Sequence, residues 1–591
     1  VTGQVLQSQF KDGFLVVGPT GLGFLCATPP DNSTSGGRCR GINTVDWQIK
    51  RTSPYQIAAG DYCVIGGGAN NLVTGSHSVI LGGKDNRLYG NHCVLVGGYS
   101  HRILGDVDTI GGGKYAQIVG NNSSILGGSY NVIRSDDSLI GAGKKNIIRG
   151  PNSTIVGGSC NSVMSVPGTF IGGGRLNTAI GNNSLVVGGV ANGTRGNYSS
   201  VLGGKENYAY SAYCTVLSGR SNLVYGAFSG ILSGYKNFID PAGIAACIGA
   251  GANNTASAKC SGVFTGRYNR SVGLYSAVLG GSQNTADAPR SAVLAGFKNN
   301  VKANDSVILG GSSNFIQSGI GIFMAGIVSG RNNIIIGSGR YGFIGAGYRN
   351  VVSNQLASVV GGLSNHSIGI ASIVGAGTNN TASGHNSAVM GGYCNSVTAD
   401  NCFIGAGNNN KSIVSNAGVV SGQSNRANGI FCIVGAGKTN AAYTYASGVL
   451  AGKYNKTTNN KSGVLSGYYN HASGENSAIL AGSSNTTSGL NSAVIAGICN
   501  TASGVRSVVI TGQYNSVNTD DSVIVTGRNQ LIILTAESSA ILAGHSNKIA
   551  GLSAAIVAGH DNYVGLSTNS AILSGDRNQV LYHNSGIGAG V

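Results

Sequence analysis

The sequence predicts an all-β chain, a β-solenoid of about 35 coils with roughly 15 residues in each. Three observations carry that prediction. First, SVILGGKDNRLYGNH (78–92) and CVLVGGYSHRILGDV (93–107) are one fifteen-residue unit written twice, and the unit aligns on a single glycine 35 times, from Gly68, Gly83, Gly98 and Gly113 to Gly590. Second, 99 glycines with 8 prolines and 1 tryptophan in 591 residues cannot fill a large round core, yet a hydrophobic share of 41% is too high for a disordered tail. Third, each position of the unit keeps its own chemistry through every change of spacing. Single residues are added at Gly174 and Gly575, two before Gly251 and Gly544, and six between Gly326 and Gly347.

Taken in order, the unit reads strand, turn, strand, turn. Three residues before the aligned glycine stands Ile or Val in 33 of 35 copies (Ile80, Ile110, Ile125, Val201), with Leu95 and Phe323 as the exceptions. This is the expected core row. One residue further on, 25 copies carry a large apolar side chain such as Leu81, Val96, Leu126 or Val156, and ten carry Gly. Successive side chains of a strand alternate faces, so this second row points outward and needs a covering partner. A parallel homotrimer with the row at its shared axis is the expectation, with the ten glycines where backbones come closest.

Three residues after the aligned glycine, 30 of 34 complete copies carry Asn, among them Asn71, Asn86, Asn131, Asn146 and Asn161. His101, Ala116, Ser329 and Gln530 replace it in the others. Asn tolerates left-handed turns and bonds nearby backbone, so stacking it once per coil predicts a structural amide ladder. A second small apolar position follows (Leu88, Ile103, Ile118, Ile133), then often a turn glycine (Gly75, Gly90, Gly105, Gly120). One coil cannot hold alone, since a buried Ile or Val contributes about 1.5–3 kcal/mol against roughly 1–2 kcal/mol of backbone ordering per residue.

The boundaries follow from the register. Residues 1–59 lack the unit and form an N-terminal junction or cap, and 60–591 form the repeat stack, irregular near 240–250 and 327–346. No basic-then-apolar leader opens the chain at Val1, and no run of about 18 apolar residues predicts a membrane span.

The combination of S-V-I-x-G-G with N-x-x-x-G-x-x-S, closest in NSAVIAG (491–497) and NSAVMGG (386–392), resembles the head repeats of trimeric autotransporter adhesins. That resemblance implies a left-handed β-roll assembled as a trimer, although the unit here is one residue longer than the family's usual repeat. GPTGLGFL (18–25), RGINTVDWQ (40–48) and QIAAGDYCVIGGGANN (56–71) resemble junctions in fibre proteins of giant viruses and some phages, where collagen-like tracts precede such rolls. Gly18-Pro19-Thr20-Gly21 is at most a remnant of such a tract.

Catalytic chemistry has little to stand on. The 20 Asp and Glu sit singly in turns, with no recurrent acid–base pair, and no cofactor or catalytic residue is expected. Strings such as GGGANN imitate phosphate loops but recur without a following helix. His545 and His560 share a turn position in successive coils, close enough to share a metal, but two exposed turn histidines are the preferred reading and no metal is expected. Among 12 cysteines, Cys63 and Cys93, like Cys402 and Cys432, lie two coils apart, too far for a disulfide. The pairs Cys247–Cys260 and Cys26–Cys39 remain open, and most of the others are expected as buried thiols at Ser or Ala positions.

Charge points to an edge. The formal net charge is +17, and the residue after the aligned glycine is often basic or Tyr: Lys84, Tyr99, Lys114, Lys144, Arg175, Lys205 and Arg220 are the candidate surface-binding residues. Such an edge suits anionic glycans or a host surface, and the plainer reading is solvated turns that keep a fibre soluble. Nucleic acid is not the expected partner. Sixteen Asn-x-Ser/Thr triplets occur; Asn32, Asn121, Asn152, Asn197 and Asn304 are the candidate glycosylation sites, whereas ladder members such as Asn192 are expected to be inaccessible. The functional expectation is a non-enzymatic structural fibre at a virion or cell surface, hence extracellular, contributing to attachment. An ice- or crystal-binding solenoid and a glycan-processing fibre are the alternatives, and the first lacks a regular Thr array, the second a carboxylate pair.

Overall fold

The computed structural model describes residues 9–10, 13–17, 23–317, 319 and 323–590; the Gly18 to Gly21 stretch lies outside the described residues. The fold is all-β, a parallel β-solenoid of about 36 turns of roughly 15 residues, with no helix among the described residues. The chain divides into two compact units, residues 1–290 and 291–591. Each is built in the same way.

In the first unit, Val64–Ile65 pairs with Val79–Ile80, which pairs with Val94–Leu95, always parallel and fifteen residues out of step. A second ladder runs through Leu72–Val73, Arg87–Leu88 and Arg102–Ile103. In the second unit Ala292–Val293 pairs with Val307–Ile308, and the same ladder reaches Ala571–Ile572 and Gly586–Ile587. Strands of two residues suffice because every coil hydrogen-bonds both neighbours. The core is the pair of inward rows: Ile65, Ile80, Leu95, Ile110 and Ile125 on one side, Val73, Leu88, Ile103 and Ile118 on the other, all fully buried. Second-row hydroxyls bond across the coil, as Thr194 Oγ1 does to Ser184 Oγ at 2.9 Å and Ser271 Oγ to the Ser276 carbonyl at 2.8 Å, but Thr457 Oγ1 is buried without a partner.

The aligned glycine is required twice over. At Gly83 φ is +95°, in the left-handed region, and an added Cβ would lie 2.7 Å from both Asn86 Nδ2 and Gly98 N. Nine of the ten glycines expected where chains approach, all but Gly588, also have a reason inside the chain. At Gly66 and Gly111 a Cβ would sit 2.7 and 2.5 Å from the Leu81 and Leu126 carbonyl oxygens of the next coil. Two further positions per coil hold left-handed backbone without glycine, as at His77 and Asp85 with φ of 55° and 60°.

The register changes in one place. Between Gly311 and Gly347 the left-handed glycine is Gly330, with φ +99°, rather than Gly326. Ile327 therefore takes the core position instead of Phe323, and Asn333 takes the ladder position instead of Ser329. The asparagine row thus rises from 30 to 31 of 34 copies. The added residues divide between the segment after Phe315–Ile316 and the turns at 337–342. Near 240–250 the two added residues fold into turns at 240–245, and Cys247–Ile248 pairs in register with Gly230–Ile231.

The parallel stack also begins upstream of residue 60. Leu25 and Cys26 pair with Val45–Asp46, which pairs with Val64–Ile65. Asp46 lies in the inward row, where later coils have Ile, and its Oδ2 meets Arg40 Nε at 3.1 Å and Arg51 Nη2 at 3.0 Å, all three side chains fully buried. Arg40 Nη1 donates to the Gly36 and Arg38 carbonyls, and Arg51 Nη1 to that of Ser35. Gln48 Oε1 accepts from Asn71 N–H at 2.8 Å, so a glutamine of the RGINTVDWQ segment opens the asparagine row.

Candidate functional site: the side-chain rows and the charged edge

Besides the two inward rows, four side-chain rows run along each stack, two buried and two exposed. The asparagine row is broken only at His101, Ala116 and Gln530 among the described residues. Asn86 Nδ2 donates to the Gly82 carbonyl of its own coil at 3.3 Å and to the Gly98 carbonyl of the next at 3.2 Å. Its Oδ1 accepts the His101 N–H at 3.0 Å, and the same pattern joins Asn131, Asn146 and Asn161. Asn71 is fully buried like the others. The substitutes keep part of it. His101 Nδ1 accepts from Ala116 N–H, and burial lowers the pKa of that imidazole. Gln530 Oε1 accepts from Asn547 N–H, while its Nε2 has no partner.

A second buried row, not singled out from the sequence, stands five residues before the aligned glycine. Ser78 Oγ donates to the Gly90 carbonyl at 2.8 Å and accepts the Cys93 N–H at 3.0 Å. Cys93 and Asp108 follow in successive coils, then Ser123, whose N–H donates to Asp108 Oδ1 at 2.8 Å. Asp108 Oδ2 is buried without a partner. Burial lifts this carboxyl to about 7 and the Cys93 thiol to about 11. All twelve cysteines are free thiols. Six are buried, but Cys160, Cys260, Cys394 and Cys499 are half-exposed and Cys39 and Cys247 exposed. The buried-thiol expectation therefore holds for half of them, because all four half-exposed ones lie at left-handed turn positions instead of in the serine row.

The edge is more ordered than a row of turns. Lys84, Tyr99, Lys114, Ser129, Lys144, Ser159 and Arg175 form successive parallel bridges, as do Lys205, Arg220 and Tyr235, so one side chain per coil projects from a third backbone ladder. The cations are exposed and Tyr99 half-exposed. Lys84 Nζ lies 5.9 Å from the Tyr99 ring centre, and the Arg220 guanidinium 5.8 Å from that of Tyr235. Glu206 divides the run: its carboxylate is 3.4 Å from Lys205 and 4.0 Å from Arg220. Among the described residues Lys84, Lys114, Lys144 and Arg175, about two coils apart, form no ion pair.

The outer apolar row is open. Leu81, Val96, Leu126 and Val156 are 53%, 47%, 59% and 50% exposed. Hollows of about 370 and 360 Å³ lie on this face in the second unit, the first against Leu309, Val328 and Phe343, the second against Leu450, Leu465 and Leu480. Asn32, Asn121, Asn152, Asn197 and Asn304 are all exposed, while Asn192 and Asn269 are buried in the ladder. Among the described residues no helix is long and apolar enough to cross a membrane.

No protein-family model matches this chain, and comparison with curated proteins gives no match.

Proposed function

We propose that this chain is a non-enzymatic structural fibre of a virion or cell surface, associating as a parallel homotrimer through its outer apolar row and presenting the charged edge to anionic glycans of a host surface. The observation that carries the reading is the outer row itself. Large apolar side chains stand in 25 of the 35 copies of this row, those such as Leu81 and Leu126 half exposed in a single chain, a recurring apolar surface of the kind that marks an interaction face. A second and third copy of the same strip would cover it, since identical units keep identical spacing along the whole interface.

The edge supports the attachment half of the reading. Each exposed cation counts for little alone. Lys84, Lys114, Lys144, Arg175 and Lys205 would act collectively, and the interaction would weaken steeply with salt. Sedimentation of the purified chain tests the assembly: a trimer is expected, with Leu126→Asp and Leu202→Asp driving it to monomer while β-structure persists. A wild-type monomer with the solenoid intact would refute the homotrimer. Adsorption to heparin-coated beads tests the edge, and reversing all five cations to Glu should abolish it. Unchanged adsorption would remove the edge from consideration.

A further inference from the structure

We propose that His545, His560 and Asp561 bind a divalent d-block cation such as Zn²⁺, with Asp576 positioning His560. His545, His560 and Asp576 are successive members of the edge row, joined by parallel bridges. Their one-per-coil spacing sets the two imidazoles face to face, with ring centres 4.8 Å apart and planes 5° from parallel. Asp561 follows His560 at a left-handed position, φ 50°, which turns its carboxylate back beside the ring, Oδ2 3.3 Å from His560 Nδ1. Asp576 Oδ1 lies 2.9 Å from the same nitrogen.

One donor atom from each of His545, His560 and Asp561 lies within 4.8 Å of the others, and among the described residues no other such group of three occurs. Tetrahedral zinc bonds of about 2.0–2.2 Å place two ligands about 3.4 Å apart. Relative movement of about 1.5 Å, with the two rings tilting from parallel, closes the set. Two imidazoles and a carboxylate suit Zn²⁺, Ni²⁺ or Cu²⁺ rather than Mg²⁺ or Ca²⁺, and water would complete the shell. A carboxylate holding Nδ1 of a histidine that ligates through Nε2 fixes its ring, the part assigned to Asp576, and the Asp561 carboxylate then swings from Nδ1 toward the Nε2 side to reach the cation. Ser546 Oγ, 3.1 Å from His545 Nδ1, holds the first ring likewise.

The chain supplies its own comparison. His77 and His92 stack in the same manner, 5.0 Å apart and 3° from parallel, but their neighbour in the stack is Tyr62 and no carboxylate joins them. Stacked histidines alone are thus a by-product of the repeat, and the added Asp561 and Asp576 distinguish the second pair. Because the ligands come from residues fifteen apart, a bound cation would clip neighbouring coils and favour the folded stack.

The test uses the tag-free full chain, stripped with EDTA and titrated with Zn²⁺ by calorimetry. One Zn²⁺ per chain is expected, with a raised melting temperature. His545→Gln and His560→Gln should each weaken binding at least ~30-fold and Asp576→Asn about tenfold, by the usual weight of ligands and their supports. His77→Gln with His92→Gln should change nothing. Zn²⁺ binding that survives the double variant His545→Gln/His560→Gln, or that disappears with His77 and His92, overturns the proposal. Should a variant fail to fold, Cu²⁺ resonance on the wild-type chain decides it: hyperfine structure from two imidazole nitrogens supports the site, and one or none refutes it.

Discussion

Replacing Asn425 by Ala removes three hydrogen bonds from the middle of the second unit. Asn425 Nδ2 donates to the Ser421 carbonyl at 2.8 Å and the Gly437 carbonyl at 3.1 Å, and Oδ1 accepts the Asn440 N–H at 2.9 Å. The losses are unequal. The Gly437 oxygen keeps the Gln423 N–H at 2.8 Å, and a carbonyl tolerates one missing donor better than an amide tolerates a missing acceptor. The orphaned Asn440 N–H dominates, at about 1–3 kcal/mol for a buried unsatisfied group. With ~2 kcal/mol as the central figure, local opening rises about 30-fold. Amide hydrogen exchange reads this directly: the Asn440 amide should exchange about 30-fold faster, with distant coils unaffected because each contacts only its neighbours. Asn425→Gln is the sharper control. At Gln530 the longer side chain still accepts from the next coil while its own amide goes unpaired, so Asn425→Gln should keep most of the Asn440 protection. The natural gap at Ala116 shows that the row absorbs one loss, and Asn425→Ala with Asn440→Ala should cost more than either alone. Unchanged exchange at Asn440 in Asn425→Ala, or equal behaviour of the Ala and Gln variants, would refute the account.

Other expectations follow from the same geometry. Asp108, lifted by burial from its ordinary 3.8 to about 7, holds its proton more tightly folded than unfolded, so its contribution is most favourable below pH 4, declines as pH rises from 4 to 7, and is flat above. The ceiling is about 4 kcal/mol, three pH units at 1.36 kcal/mol each, and Asp108→Ser, restoring the residue of its row, should flatten that part of the stability curve measured by urea unfolding. Asp46→Ala leaves Arg40 and Arg51 buried without their shared carboxylate and should cost about 3–5 kcal/mol; changing all three to Met, Ile and Met should recover most of it, and equal stability of the single and triple variants would speak against the ion cluster. Gly83→Ala, forced into left-handed backbone against Asn86 and the next coil, should destabilise by at least ~1 kcal/mol, seen as a lower urea midpoint.

The fifteen-residue interval by itself determined the coil, its two strands, the inward Ile and Val row and the asparagine row. In a stack each contact joins a residue to its counterpart one unit along, so the period of the sequence is also the period of the contacts. Leu81 and Ile80 could be assigned to opposite faces for the same reason, since two-residue alternation leaves no other arrangement. What the repeat does not encode, only the tertiary structure decided. Gly326 and Gly330 both continue the pattern on paper, and the choice falls to Gly330 because it buries Ile327 and gives Asn333 N–H the Asn314 amide oxygen at 3.0 Å. The Arg40, Asp46 and Arg51 cluster was illegible because its members occupy no repeated position, and the cap folds them onto one carboxylate. The edge looked like a line of turn residues; its backbone bridges from coil to coil emerge only when the turns are stacked. Asp108 read as one more turn acid, yet its place in the serine row puts it inside, where desolvation governs its proton.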